Sequence, residues 1–118
     1  MEKNYNYLKS LYSNFRNFQL HEGLYVEDYA PPGNSVFFYP TETEYNPYEF
    51  QEIQTFEIDF FIYEQNFTVG MIDEIVNVLK NSKIGGIFKS NCSIQYPFNN
   101  LVKLELLIII TQKTDYLQ

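Results

Sequence analysis

Leu101–Ile110 reads LVKLELLIII, the most apolar run in the chain, with Lys103 and Glu105 set inside it. A membrane-spanning helix needs roughly 20 mostly apolar residues, and this run is about half that length and carries two charges. As a strand it resolves into two faces. Val102, Leu104, Leu106, Ile108 and Ile110 make one wholly apolar face; Lys103, Glu105, Leu107, Ile109 and Thr111 make the other. The first face must line a core. Lys103 is expected to tolerate a negative charge.

The stretch QEIQTFEIDFFIY has the same alternation. Gln54, Phe56, Ile58, Phe60 and Ile62 point one way, while Ile53, Thr55, Glu57, Asp59, Phe61 and Tyr63 point the other. In both strands the second face starts charged and ends apolar, at Phe61 and Tyr63 in one and at Leu107 and Ile109 in the other. A solvated face should stay polar throughout, so a helix, a loop or another subunit is expected to cover these later halves.

Working outward, Tyr5, Leu8, Leu11, Tyr12, Phe15 and Phe18 follow three- and four-residue steps, which predicts a helix over Asn4–Phe18. Two short strands, Leu24–Asp28 and Ser35–Tyr39, flank the turn Pro31-Pro32-Gly33-Asn34, and Pro40 closes the second. TETEYNPYEF reads as a polar, acidic loop. Met71, Ile72, Ile75, Val76 and Leu79 form the stripe of a second helix, with Thr68 as its N-cap and Gly85-Gly86 as its stop. A weaker strand, IFKSNCSIQYPF, reaches Leu101 through Asn99–Asn100, with Ser93–Tyr96 forming a hairpin with the last strand. The expectation is one α+β domain over residues 1–118, ordered α-β-β-β-α-β-β, with two helices packing a mostly antiparallel sheet.

The chain of 118 residues is 45% hydrophobic and 19% aromatic, too apolar for a disordered segment. Its N-terminus shows no apolar signal core, so folding in a cytoplasm is expected. The net charge is −7, unevenly spread: between Asn17 and Leu79 there are twelve acids and no Lys or Arg. That disfavours gripping a nucleic-acid backbone, which takes Lys and Arg. The plain reading is a solvated acidic surface; the sharper one is a surface that repels nucleic acid or meets a basic partner.

Chemistry is sparse. His21 beside Glu22 is the only histidine, and Cys92, the only cysteine, has no base predicted nearby. Glu57 and Asp59 share a strand face but lack a third ligand. No catalytic, cofactor-binding or metal-binding residue is assigned, and no enzyme is expected.

The layout of an N-terminal amphipathic helix, VFFYP before an acidic loop, and FEIDFFIY running through NFT into one helix and two closing strands resembles the tail terminator or tail-completion (neck) proteins of long-tailed bacteriophages. The resemblance covers nearly the whole chain and is one of pattern, without signature residues. It implies a structural virion subunit, assembled in the bacterial host cytoplasm, that forms a ring, usually a hexamer, with no cofactor. Such a ring caps the tail tube, joins it to the head connector, and lets DNA pass without specific binding. On that reading Phe61, Tyr63, Leu107, Ile109, Tyr45 and Tyr48 are candidate subunit contacts. Glu42, Glu44, Glu49, Glu52, Glu57 and Asp59 line the lumen or an acidic interface. The alternative is a small acidic binding protein, such as an immunity protein or a nucleic-acid-mimicking inhibitor.

Overall fold

Leu101–Ile110 lies inside a 13-residue interior strand, one place in from the edge of a five-stranded sheet. The computed structural model describes residues 2–13, 15–23, 34–82 and 87–113, without the side chains of 87–90. In chain order the elements are α1 (Glu2–Tyr12), β1 (Gln19–Glu22), β2 (Ser35–Asn46), β3 (Gln51–Tyr63), α2 (Gly70–Lys80), β4 (Ile87–Phe98) and β5 (Leu101–Lys113). This is the α+β order α-β-β-β-α-β-β. The sheet order is β1-β2-β3-β5-β4; β1 and β2 are parallel and every other neighbouring pair is antiparallel.

The predicted faces hold. Val102, Leu104, Leu106, Ile108 and Ile110 are buried, as are Gln54, Phe56, Ile58, Phe60 and Ile62. Leu8 and Tyr12 of α1 and Met71, Ile75 and Leu79 of α2 close the same core. Both helices therefore cover one face of the sheet. Within the core the Tyr12 hydroxyl donates to the Ile75 carbonyl at 2.9 Å, so a polar group buried between the helices is satisfied.

Local expectations change in several places, and some fall outside the described residues. The first helix stops at Tyr12, and a tight 3-10 turn, Phe15–Asn17, follows with Arg16 and Asn17 at φ 45° and 61°. Asn tolerates the left-handed region, and the reversal brings Phe15 and Phe18 within 5.8 and 5.5 Å of the Phe60 ring. The first strand is Gln19–Glu22. The expected Leu24–Asp28, the Pro31–Gly33 part of its turn and the Gly85-Gly86 stop lie outside the described residues. Thr68 is not the side-chain cap of α2: Val69 holds the cap position, and the backbone bonds Met71 N to Thr68 O (3.0 Å) and Ile72 N to Val69 O (3.1 Å) serve the first turn instead.

The largest change is TETEYNPYEF. Its first half continues β2 to Asn46, and the chain reverses over residues 47–50 into β3. Thr41, Thr43 and Tyr45 favour strand, and Thr43 and Tyr45 pair with Gln54 and Glu52 of β3. In the turn, Asn46 Oδ1 accepts from Tyr48 N (3.0 Å) and Glu49 N (3.3 Å), a local side-chain bond typical of turn-forming Asn. Pro40, expected to end the strand, instead marks an irregularity: Pro40 pairs with Phe56 but Glu42 with Thr55, leaving Thr41 as the extra residue of a bulge.

An Asp in place of Leu106 or Ile108 is expected to unfold the chain, because an unpaired buried charge costs several kcal/mol, comparable to total domain stability. Asp at exposed Lys113, at the end of the same strand, should leave a thermal melt nearly unchanged. Similar melts for the core and Lys113 variants would refute the assigned face.

Candidate functional site

The sheet face opposite the helices carries the charged residues of β2, β3 and β5. Cross-strand register sets Phe37, Asp59, Glu105 and Ser93 in one row, with Tyr39, Glu57, Leu107 and Asn91 in the next. At the first of these rows sits a polar cluster. Asp59 is fully buried. Tyr39 Oη lies within hydrogen-bond distance of Glu57 Oε2 and of Asp59 Oδ2, the latter at 2.9 Å. Lys103 Nζ is 3.4 Å from Glu105 Oε2 and 3.8 Å from Asp59 Oδ2. Gln95 Nε2 donates to Glu105 Oε2 at 3.2 Å.

A phenol has one proton and can donate to only one of the two carboxyls. When it donates to Glu57, its contact with Asp59 is a hydrogen bond only if Asp59 carries a proton. Burial points the same way: it disfavours the charged carboxylate and, reinforced by the bond to Glu57, lifts the Asp59 pKa to about 8 against the opposing pull of Lys103. Burial first, and then the bond to Glu57, also raises the Tyr39 pKa, so the phenol keeps its proton. Asp59 Oδ1 has no partner, as suits a neutral carboxyl better than an ionised one.

Carboxylate oxygens of Glu57, Asp59 and Glu105 lie within 4.8 Å of one another. Lys103 supplies the positive charge beside them, with its side chain only 12% exposed. Lys103 is therefore not the tolerant position expected from sequence, since an acid there would replace the cation with a further negative charge. Tyr39, Lys103 and Glu105 were missed as partners of Glu57 and Asp59. Only the pairing register, which sequence alone does not print, brings them together.

The candidate contacts do not form one patch. Phe61 is fully buried, edge-on to Phe37 at 5.6 Å and clustered with Leu101. The chain itself covers it. Tyr63 is 43% exposed at the end of β3, opposite Leu101, whereas Leu107 and Ile109 lie opposite Glu57 and Thr55. Because β3 and β5 are antiparallel, their apolar halves lie at opposite ends of the face, and Tyr63 is about 27 Å along the strand from the Ile109 row. Tyr45 and Tyr48, 45% and 92% exposed, sit on the β2–β3 hairpin.

The candidate acids also divide. The Thr41 bulge switches which residues of β2 face the open side: Tyr39 does before it, Glu42 and Glu44 after it. Glu42 and Glu44 thus share a face with Glu57 and Asp59, and they line a groove of about 500 Å³ with Gln51, Ile53, Thr55, Ile109 and Thr111. Glu52, opposite Tyr45, faces the helix side, and Glu49 is in the turn.

His21 and Cys92, the residues weighed for chemistry in the sequence, are held by ring stacking and core packing. Lys9 donates to Glu22 at 2.6 Å, while the His21 ring stacks on Phe37 at 4.7 Å and its buried Nε2 has no partner among the described residues. Cys92 packs against the core, and burial pushes its thiol pKa up, away from the reactive thiolate. Among the described residues, no helix is long and apolar enough to cross a membrane. The open face presents an array of acids beside apolar surface.

Asp59 gives this face a pH signature. Its folded-state pKa lies above the usual carboxylate value, so the folded chain holds a proton that the unfolded chain gives up from about pH 4. The stabilisation is complete below that pH and is lost as pH rises to about 8. Thermal melts should therefore show the natural chain losing stability from pH 4 to 8 relative to Asp59→Asn, which has no such proton to lose. Parallel pH profiles would overturn the protonated assignment. Compared with known proteins, the chain matches no family model and no curated protein sequence.

Proposed function

We propose that this chain is a non-catalytic assembly subunit of the tail-terminator or tail-completion kind, forming a ring, usually of six copies, at the head-proximal end of a phage tail. The ring would cap the tail tube and join it to the head connector. The observation that carries the reading is the asymmetry of the sheet. Two helices seal one face, while the other is acidic and continues onto the β2–β3 hairpin.

A ring needs head-to-tail contacts, and these need two different patches on each copy. The sheet offers them on its two sides. One is the β2–β3 hairpin with Tyr48. The other is β4 at the sheet edge, where Ile94 and Tyr96 are exposed and no described strand pairs with the outer side. Acids facing a lumen would repel phosphate and let DNA pass without sticking.

The carboxylates of Glu42 and Glu44, unpaired among the described residues, also favour a second reading, a small acidic binding protein such as an immunity protein or a nucleic-acid mimic. Mass separates the two. Sedimentation of the purified chain should reveal a closed oligomer near six copies, and Ile94→Asp with Tyr96→Lys should return it to monomer without lowering its melting temperature. A monomer at every concentration, alone and with tail tubes, would remove the ring reading and leave the second.

A further inference from the structure

The groove at the hairpin end of the open face has an apolar floor and an acidic rim on one side. Rows Glu44–Ile53–Thr111 and Glu42–Thr55–Ile109 cross it, so Ile53 and Ile109 lie diagonally in the floor. Glu42 and Glu44 are two residues apart on β2, so their Cα atoms are about 7 Å apart. Neither carboxylate has an ion-pair or hydrogen-bond partner among the described residues. Lys113, opposite Gln51 at the next row, pairs with neither.

We propose that this groove binds a cationic, amphipathic segment of another protein, with an aliphatic side chain on Ile53 and Ile109 and Lys or Arg against Glu42 and Glu44. Charge decides the class of partner. Phosphate-rich polymers and anionic lipid are repelled by the rim. An uncharged apolar segment would strip water from two carboxylates and give them nothing in return. Lys and Arg beside an aliphatic residue satisfy both parts, since their own stems also pack on apolar floor. A second copy is a poorer match. It brings the same net charge of −7. Its Lys9, Arg16 and Lys103 already pair with Glu22, Glu74 and Glu105, and its Lys3, Lys80 and Lys113 are spread over α1, α2 and β5 instead of lying on one segment. This inference rests on reading the open face as an assembly face, but not on the ring.

The test uses the full chain, isotope-labelled at isoleucine methyls, and two synthetic peptides, acetyl-KLLKLLKK-amide and acetyl-ELLELLEE-amide. The lysine peptide should shift the Ile53 and Ile109 methyl signals saturably, and the glutamate peptide should not. Glu42→Gln with Glu44→Gln should weaken that binding roughly tenfold, as expected for losing two charge pairs at a partly covered site. Glu49→Gln with Glu52→Gln removes the same charge from elsewhere on the hairpin and should change it little. Absence of saturable shifts, equal shifts by both peptides, or equal weakening by both double variants overturns the proposal. Concentration-dependent shifts of these methyls without peptide, abolished by Glu42→Gln with Glu44→Gln, would place a second copy in the groove and overturn the choice of partner. Intact rings with a silent groove count against this inference alone, and a monomer that binds the lysine peptide counts against the ring alone.

Discussion

The structure depends on the antiparallel ladder between β3 and β5, in register from Gln51 opposite Lys113 to Tyr63 opposite Leu101. Side chains alternate along a strand, so one register decides both faces at once. It gathers Phe56, Ile58, Phe60 and Ile62 with Val102, Leu104, Leu106, Ile108 and Ile110 under the two helices. The same register forces Glu57, Asp59, Lys103 and Glu105 onto the other side as neighbours. A slip of one residue would bury those charges and expose the core. Gln54, a buried polar residue of the core face, sits at its margin, where Asn4 Nδ2 donates to Gln54 Oε1 at 2.9 Å and to Gln112 Oε1 at 3.0 Å.

A second, smaller constraint shapes the surface. Proline has no amide hydrogen to give a ladder, and directly after Pro40 the chain takes one residue more than its partner. That residue changes the side to which the rest of β2 points. Without it, Glu42 and Glu44 would face the helix side and Thr43 and Tyr45 the open side. The bulge therefore places the two acids beside Ile53 and Ile109, and the groove owes its rim to a local backbone irregularity.

The class, the element order and the core were legible because they follow from periodicity. The alternation of LVKLELLIII and QEIQTFEIDFFIY, and the stripe Met71, Ile75, Leu79, leave little freedom once a core must be covered. The hairpin was not legible, because TETEYNPYEF is polar and reads as loop by composition, while its order comes from pairing with β3. The polar cluster was half legible. Glu57 and Asp59 stood out as a pair, but Tyr39 and Lys103 joined them only through register. Strand direction separated Tyr63 from Ile109, although each strand, taken alone, suggested an apolar end that needed cover.

The hydrogen bond from Tyr12 to the Ile75 carbonyl joins residues 63 positions apart. During synthesis the first helix leaves the ribosome long before its partner exists. Until α2 and β5 emerge, Leu8, Tyr12, Phe15 and Phe18 form an apolar stripe without its cover. Non-local closure of this kind slows folding and prolongs exposure of apolar surface. The twelve acids between Asn17 and Leu79 emerge next, and like charge of this kind disfavours association of neighbouring chains.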